Sequence, residues 1–164
     1  MIDFIQFLLA LVFSAFFSGM EIAFLSASRL QVQIESKRGG VGSWMAFLIS
    51  KPSNFIGAML MGNTISLVFV GLKTATLLDP FFLKFSSPAF AVIIETVIST
   101  FVVLFLAEFL PKAFFRNRSN ESLNWFILPL IFFYFLFWPI VTILTGMSRF
   151  LMPKKVKGNQ KEYD

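Results

Sequence analysis

The sequence predicts an all-α membrane protein with three transmembrane helices and a juxtamembrane helical belt on the cytoplasmic side. Two observations lead to this prediction. The 164-residue chain is 57% hydrophobic and contains 24 phenylalanines. It also carries several apolar runs of about twenty residues, the length at which a helix crosses a bilayer. A soluble domain of this size does not contain such runs, so we expect one integral membrane domain over residues 1–152.

The composition also excludes several kinds of chemistry. The chain has no cysteine and no histidine, which removes disulfides, thiol chemistry and imidazole acid–base catalysis. No pair of aspartates lies within an apolar run, and no basic residue is placed to activate a serine, so we expect no enzymatic activity. In a membrane protein, a net charge of +5 usually sets the topology and binds anionic lipid. We therefore expect no nucleic-acid binding.

The predicted spans follow one another along the chain, and they cover residues 2–25, 55–78 and 89–110. Gly39 and Gly40 interrupt the polar connection after the first span. The run 44–49 after them is predicted to form a short interfacial helix. Asp79 and Pro80 are expected to lie in the short connection after the second span.

The apolar segment 123–152 is predicted to be a bent belt at the inner membrane face, although it is apolar enough for a fourth span. Pro129 and Pro139 divide it into pieces of about ten residues, too short to cross a bilayer. With three spans, only Lys73 and Lys84 lie outside, and the other basic residues of the loops and tail are cytoplasmic. A fourth span would place the basic tail outside. We therefore expect a plasma (inner) membrane protein with its N-terminus outside and its C-terminus in the cytoplasm.

Polar residues inside the spans are the candidates for function. Glu108 ends the third apolar run, and a carboxylate within a membrane commonly marks an ion or proton path. Pro111 cannot donate to the carbonyl of Ala107, which leaves a second oxygen ligand beside the acid. Ser18 and Asn63 lie about 12–14 Å from the inner ends of their spans at roughly 1.5 Å per residue. We expect Ser18, Asn63 and Glu108 to form an ion site between the helices.

Each of the two neutral candidates has a small neighbour. Gly19 follows Ser18, and Gly62 precedes Asn63. Small residues let helices approach closely, so each pair taken alone is more simply explained as helix packing. Glu108 favours the ion site over this packing explanation, because an unpaired carboxylate contributes little to helix packing.

Two further acids have alternative roles. Glu21 shares a face of the first span with Ser14 and Ser18. It either lines an access path to the site or pairs with a basic residue at the inner boundary. Glu95 lies about 220° around a regular helix from Glu108, near the outer end of its span, where a solvated or interfacial role is expected.

Three motifs in these spans resemble those of the CorC/CNNM family of magnesium transporters. Residues 17–23, Phe-Ser-Gly-Met-Glu-Ile-Ala, with Ser-Arg-Leu at 28–30, resemble the family's F-S-G-x-E-x-A … S-R-L opening. Residues 61–64 are similar to the glycine-asparagine motif of its second helix. Residues 107–112 are similar to its G-E-x-x-P-K motif. The order and spacing agree from residue 5 to about 120, the region of the family's DUF21 transmembrane domain.

The resemblance implies three transmembrane helices, a cytoplasmic juxtamembrane belt and a homodimer in the lipid bilayer. It implies a dehydrated Mg²⁺ bound between the helices, with Mg²⁺ export coupled to inward Na⁺ flow. Ser18, Asn63 and Glu108 fall on the family's ion-binding positions. The further candidates for the metal site are their neighbours in the motifs, Gly19, Glu21, Gly62, Ser66, Ala107 and Pro111. A non-transporting Mg²⁺ sensor or accessory subunit is the alternative, and it would use the same residues.

The sequence departs from the family pattern in three ways. Leu67 stands where many relatives have a second asparagine, with Ser66 beside it, and Ala107 replaces the usual glycine. The family normally continues into paired cytoplasmic CBS domains, whereas this sequence ends at Asp164. The basic polar segment 153–164 resembles the start of a linker to such domains, so we expect a chain truncated to the membrane domain.

Overall fold

The computed structural model describes residues 1–28, 40–82 and 88–151, and these ranges form a helical bundle without a β-strand. Its elements in chain order are α1 (Ile2–Ser26), α2 (Val41–Ser50), α3 (Pro52–Phe82), α4 (Pro88–Val102), a π-helical segment called π1 here (Val103–Phe109), α5 (Leu110–Asn117), α6 (Ser119–Trp125) and α7 (Ile127–Leu151). The predictions for Gly39, for the basic loop residues Arg29, Lys37, Arg38 and Lys84, and for the tail 153–164 lie outside the described residues.

Within these ranges, four helical stretches are long and apolar enough to cross a membrane, namely Ile2–Ser26, Pro52–Phe82, Ala89–Asn117 and Ile127–Met147. The first three contain the predicted spans and extend beyond them. The all-helical membrane fold class is therefore confirmed. The prediction of three spans is not confirmed, because the fourth stretch also has the length and composition of a span.

Two prolines lie within helices that the sequence led us to end or divide. Pro80 lies inside α3, which continues to Phe82. Pro139 lies inside α7, a continuous helix of 25 residues, so the prediction that Pro129 and Pro139 divide this segment into pieces of about ten residues is wrong. Pro129 falls in the first turn of α7, where a backbone N–H has no helical partner to lose. In an apolar bundle, neighbouring helices and local adjustment of the backbone compensate for the bond missing at an internal proline.

Helix α1 is the centre of the bundle. It packs along α3 and also contacts π1, α5 and α6. Its first turn is tied to α3 by an ion pair in which Lys73 Nζ lies 2.8 Å from Asp3 Oδ1. Helix α4 packs on α3, and most of its side chains are exposed. The buried polar groups of the bundle therefore lie where α1, α3 and π1 meet.

The predicted interfacial helix is present as α2. Gly40 precedes it with a φ of 59°, in the left-handed region that favours glycine, so the predicted break at this position is confirmed. On the other face of the bundle, the ring of Phe47 in α2 packs edge-on against Tyr134 of α7 at 5.7 Å between centroids. This contact fixes α2 against α7 beside the start of α3.

Candidate cation site between the helices

A buried hydrogen-bonded cluster joins α1, α3 and π1. The Ser14 hydroxyl donates to Asn63 Oδ1 at 2.9 Å, and its oxygen lies 3.4 Å from the carbonyl oxygen of Ala107. Ser14 and Ala107 are 0% exposed and Asn63 is 5% exposed. A serine has one proton to donate, so the shorter contact to Asn63 is the stronger bond. Three oxygens from three elements thus meet in the interior of the bundle.

Ser18 lies one helical turn beyond Ser14 on α1. It is also 0% exposed, but its hydroxyl has no hydrogen-bond partner. A buried polar group without a partner is rare and calls for an explanation, such as an ion or a water that completes it. Ser18 is therefore the strongest single indication that this region binds something.

The carbonyl of Ala107 reaches the cluster because of the local backbone. In π1, hydrogen bonds span five residues, as in the bond from the Leu110 N–H to the carbonyl of Phe105. Short π-helical segments frequently occur at functional sites. Pro111 is buried at the start of α5 and has no N–H to offer Ala107. The predicted carbonyl ligand beside the acid is consistent with this geometry, whereas the π-helical segment was not predicted.

Glu108 is half-buried and lies next to this carbonyl in the chain. No hydrogen bond or ion pair joins its carboxylate to any residue that the structure describes. The side chain lines a cavity of about 520 Å³ with the stacked rings of Phe101, Phe105 and Phe109. The predicted trio is thus brought together only in part, because Ser18 and Asn63 are buried in the bundle while the Glu108 carboxylate borders an open cavity.

Glu21 is half-buried on α1, on the face that carries Ser14 and Ser18. The charges of Lys112 and Glu108 act on it, one attractive and one repulsive. No ion pair with Glu21 forms among the described residues, although Lys112 is the basic neighbour. This arrangement does not decide between the two roles expected for Glu21.

Both candidate glycines are sites of close packing. A Cβ atom at Gly62 would lie 2.6 Å from ring atoms of Phe17, and one at Gly19 would lie 2.2 Å from the ring of Phe115. Phe17 is itself only 3% exposed, so it has little room to move. These glycines hold the helices at the distance that the polar cluster requires, which is the packing role that the sequence offered for them.

Ser66, the neighbour of the missing second asparagine, has a local role. Its hydroxyl donates to the carbonyl of Gly62 at 2.9 Å, one turn earlier on α3. This back-bond satisfies the hydroxyl within its own helix. An oxygen of Ser66 can still accept, but nothing in its contacts singles it out as a ligand.

Sequence reasoning did not select Ser14 as a site residue, although it placed Ser14 on the face of Ser18 and Glu21. The signal was present in the spacing, since residues 14, 18 and 21 recur on one helical face. The amide of Asn63 in the second span accepts a hydrogen bond from this face. Only the packing of α1 on α3 shows which serine meets that amide.

The donor set determines which ions the cluster can hold. Hydroxyl, amide and carbonyl oxygens suit hard cations such as Mg²⁺ and Ca²⁺. In the described ranges, no group of three or more acidic, histidine or cysteine side chains is placed to hold a metal. A cation here would depend on neutral oxygens together with one or two carboxylates, those of Glu108 and Glu21.

The helices and the buried oxygens define an integral membrane domain with a polar site inside an apolar bundle. Residues 4–163 match the family described as the Cyclin M transmembrane N-terminal domain, CNNM. The chain belongs to this family, which confirms the family that the three sequence motifs resembled.

Three curated relatives are similar over most of the chain. The UPF0053 protein YrkA of Bacillus subtilis is 26% identical over 163 residues, covering 92% of this chain. The UPF0053 inner membrane protein YfjD of Escherichia coli is 29% identical over 143 residues, covering 85% of it. A UPF0053 protein of Haemophilus influenzae is 26% identical over 156 residues, covering 88%. The matched regions make up 37%, 32% and 36% of the relatives' own lengths, so the chain spans about a third of each.

Proposed function

We propose that this domain moves a divalent cation, Mg²⁺, across the membrane through a site between α1, α3 and π1. The observation that supports this most directly is the fully buried Ser18 hydroxyl without a partner, one turn from the bonded cluster of Ser14, Asn63 and Ala107. Membership of the CNNM transmembrane family is consistent with divalent cation transport. Export driven by inward Na⁺ flow is the direction and coupling that the family resemblance implies.

The chemistry of the residues fits Mg²⁺ as cargo. Mg²⁺ prefers about six oxygens near 2.0–2.1 Å and gives up its water reluctantly. The Ser14 and Ser18 hydroxyls, the Asn63 amide oxygen and the Ala107 carbonyl can replace several waters. The Glu108 carboxylate would balance part of the charge when its side chain turns from its open cavity towards Ala107. Because the ligands come from different helices, small movements of these helices would open the site to one side or the other.

The proposed orientation places the end of the bundle formed by Ser26 and Pro52 at the cytoplasmic face. Glu21 and Lys112 would then lie towards the cytoplasm from the site. A half-buried carboxylate there would attract cations towards the site, and Lys112 would limit how strongly they are held. We expect neutralisation of Glu21 to slow Mg²⁺ loading and to leave the bundle folded.

Mg²⁺ flux tests the proposal. Purified protein is reconstituted into liposomes that contain a Mg²⁺ indicator, and Mg²⁺ movement is followed with and without an opposing Na⁺ gradient. We expect the wild type to move Mg²⁺ and both Asn63→Ala and Glu108→Gln to be strongly slowed. Glu95→Gln is the matched control, because it removes a carboxylate from the same span without touching the cluster.

The same assay separates transport from sensing. A sensor or accessory subunit would bind Mg²⁺ through these residues without moving it. Binding without flux in the wild type would therefore overturn the transport proposal and leave the binding site intact. Equal flux in the wild type and in Glu108→Gln would overturn the proposed site.

A further inference from the structure

A cavity of about 560 Å³ follows the contact between α1 and α3, and the rings of Phe133 and Phe137 from α7 also line it. Its lining is apolar except for Gln6, Ser66 and Lys73. The Ser66 hydroxyl is already bonded within α3, so Gln6 and Lys73 are the polar groups that remain for a ligand. We call this cavity the α1–α3 groove.

The α1–α3 groove has the length of one membrane leaflet. Along α3 its lining begins at Gly62 and ends at Lys73, a rise of about 16 Å at roughly 1.5 Å per residue. The hydrocarbon core of a bilayer is about 30 Å thick, so one leaflet contributes about 15 Å. Leu9, Ile65 and Phe69 line the groove and are exposed, so it is open from the side. An acyl chain of one leaflet therefore has the length and the chemistry to fill it.

An ion pair marks the polar end of the groove. Lys73 Nζ lies 2.8 Å from Asp3 Oδ1, and Asp3 is in the first turn of α1. The two side chains are 26% and 48% exposed, so both can also contact a ligand from outside. An ammonium has three N–H donors and a carboxylate has about four acceptor sites, so their mutual contact leaves capacity on each. The groove thus ends at a cationic and an anionic group placed side by side.

We propose that the α1–α3 groove binds one zwitterionic phospholipid with a primary ammonium in its headgroup, the chemistry of phosphatidylethanolamine. An acyl chain lies along the groove, the lipid phosphate accepts from Lys73, and the lipid ammonium donates to Asp3. Phosphatidylglycerol carries a net negative charge that Asp3 repels, and the trimethylammonium of phosphatidylcholine has no N–H to donate. An acyl chain gains little by leaving the bilayer for an apolar groove, so the headgroup decides which lipid is retained.

The other end of the groove lies beside the candidate cation site. Phe17 and Gly62 form its wall there, and they precede Ser18 and Asn63 in the chain. A lipid chain packed against this wall would support the close approach of α1 and α3 next to the buried oxygens. Lipid binding in the groove does not require that the domain moves Mg²⁺, so the two proposals can fail separately.

Two measurements on purified, delipidated protein in detergent test the proposal. Native mass spectrometry compares how much phosphatidylethanolamine, phosphatidylglycerol and phosphatidylcholine of identical acyl chains is retained from an equal mixture. Thermal unfolding with each lipid added separately reports the same preference in solution, because a bound ligand stabilises the folded state. We expect the wild type to retain phosphatidylethanolamine about twofold to fivefold better than either other lipid, the ratio that an exposed charge contact gives.

The decisive variant for the headgroup is Asp3→Asn, which removes the negative charge and keeps Lys73. It should lose the preference for phosphatidylethanolamine and retain more phosphatidylglycerol than the wild type. Asp79→Asn is the matched control, because it removes a carboxylate further along α3 that does not line the groove. It should keep the wild-type preference in both measurements.

The variant for the acyl chain is Ala10→Phe, which fills the groove from α1. It should lose the retained lipid of every headgroup. Gly146→Phe is the control, because it adds equal bulk at a position where nothing lies within 4 Å of a Cβ. Circular dichroism verifies that each variant is folded, and Asp3→Asn decides the outcome if Ala10→Phe does not fold.

Four results would overturn the proposal. They are equal retention of the three lipids by the wild type, an unchanged preference in Asp3→Asn, wild-type retention in folded Ala10→Phe, and lipid on the monomer but none on a dimer. The last result would identify the groove as a contact between two copies of the chain.

Discussion

Ser14 and Ser18 are buried to the same extent on the same helix, one turn apart, yet they differ in what their hydroxyls do. Ser14 donates to Asn63, whereas Ser18 has no partner. Leaving a buried polar group unpaired costs about 1–3 kcal/mol. We therefore expect stability to fall when Ser14 is replaced by alanine and not to fall when Ser18 is replaced.

The first prediction compares Ser14→Ala and Ser18→Ala in thermal unfolding without Mg²⁺. Ser14→Ala leaves Asn63 Oδ1 without its donor and should lower the free energy of unfolding by about 1–3 kcal/mol. Ser18→Ala removes an unsatisfied group and should leave the unfolding temperature unchanged or raise it. Added Mg²⁺ should stabilise the wild type more than Ser18→Ala, because a ligand stabilises the state that binds it. A loss of stability in Ser18→Ala equal to that in Ser14→Ala would contradict the assignment of Ser18 as an ion ligand.

The second prediction concerns the close approach of α1 and α3 at Gly62. Gly62→Ala places a methyl group against the ring of Phe17, and overpacking of this kind costs about 1–3 kcal/mol. We expect a lower unfolding temperature in detergent, partly recovered by adding Phe17→Leu, which shortens the opposing side chain. Gly146→Ala is the control, since nothing lies within 4 Å of a Cβ there. Equal stability of the Gly62 and Gly146 variants would show that the helices are not held this closely.

The role of α7 depends on whether this helix crosses the membrane or lies along its inner face. Its side chains contact the middle of α1 and the first turns of α3. The ring of Phe137 packs on Phe17 at 6.0 Å, and Val141 faces Gly57 close to the start of α3. Thr142 borders a cavity with the first residues of α3. Nearer the start of α7, the ring of Phe133 packs on Phe13 at 6.0 Å and lines a cavity that Lys73 also borders. These contacts fit both a belt and a fourth span.

The third prediction uses cysteine labelling to determine on which side of the membrane the connections and the tail after α7 lie. The chain has no native cysteine, so each introduced one reports alone. Gly40→Cys and Gly158→Cys should both react with an impermeant reagent applied from the cytoplasmic side. Ser86→Cys should react only from outside. Labelling of Gly158→Cys from the outside would instead identify α7 as a fourth span.

The elements also show how far the sequence alone could be interpreted. Apolar runs predicted the three long helices because burial in lipid imposes one simple requirement on composition. Helix ends at Pro80 and inside the segment containing Pro139 were predicted wrongly, because a proline rule from isolated helices neglects the compensation available in a bundle. The π-helical segment left no pattern of its own, because the spacing of apolar residues does not report whether hydrogen bonds span four or five residues. The pairing of Ser14 with Asn63 likewise depends on helix register, which no spacing within one helix specifies.

At the scale of the whole molecule, α4 and π1 present a largely exposed apolar face that includes Phe101, Phe105 and Phe109. Glu108 and Lys112 border a cavity on this face, and charged groups are costly against lipid. The fourth prediction is therefore a two-fold symmetric homodimer, in which each protomer keeps its own cation site. Mass measurement in nanodiscs or detergent should give twice the protomer mass. A strictly monomeric protein that still moves Mg²⁺ would exclude the dimer as a functional requirement.

The measurement that tests the central claim most directly is Mg²⁺ binding to purified protein by calorimetry, with the wild type beside Glu108→Gln, in buffer without Na⁺. The substitution keeps the shape of the side chain and removes its charge. The account predicts saturable binding in the wild type and a loss of affinity of about tenfold to a hundredfold in Glu108→Gln, because interactions with a charged group contribute about 1.5–3 kcal/mol and the neutral amide loses most of this. Circular dichroism should show the same helix content in both proteins. Mg²⁺ affinity in a folded Glu108→Gln protein equal to that of the wild type would place the ion elsewhere and contradict the account.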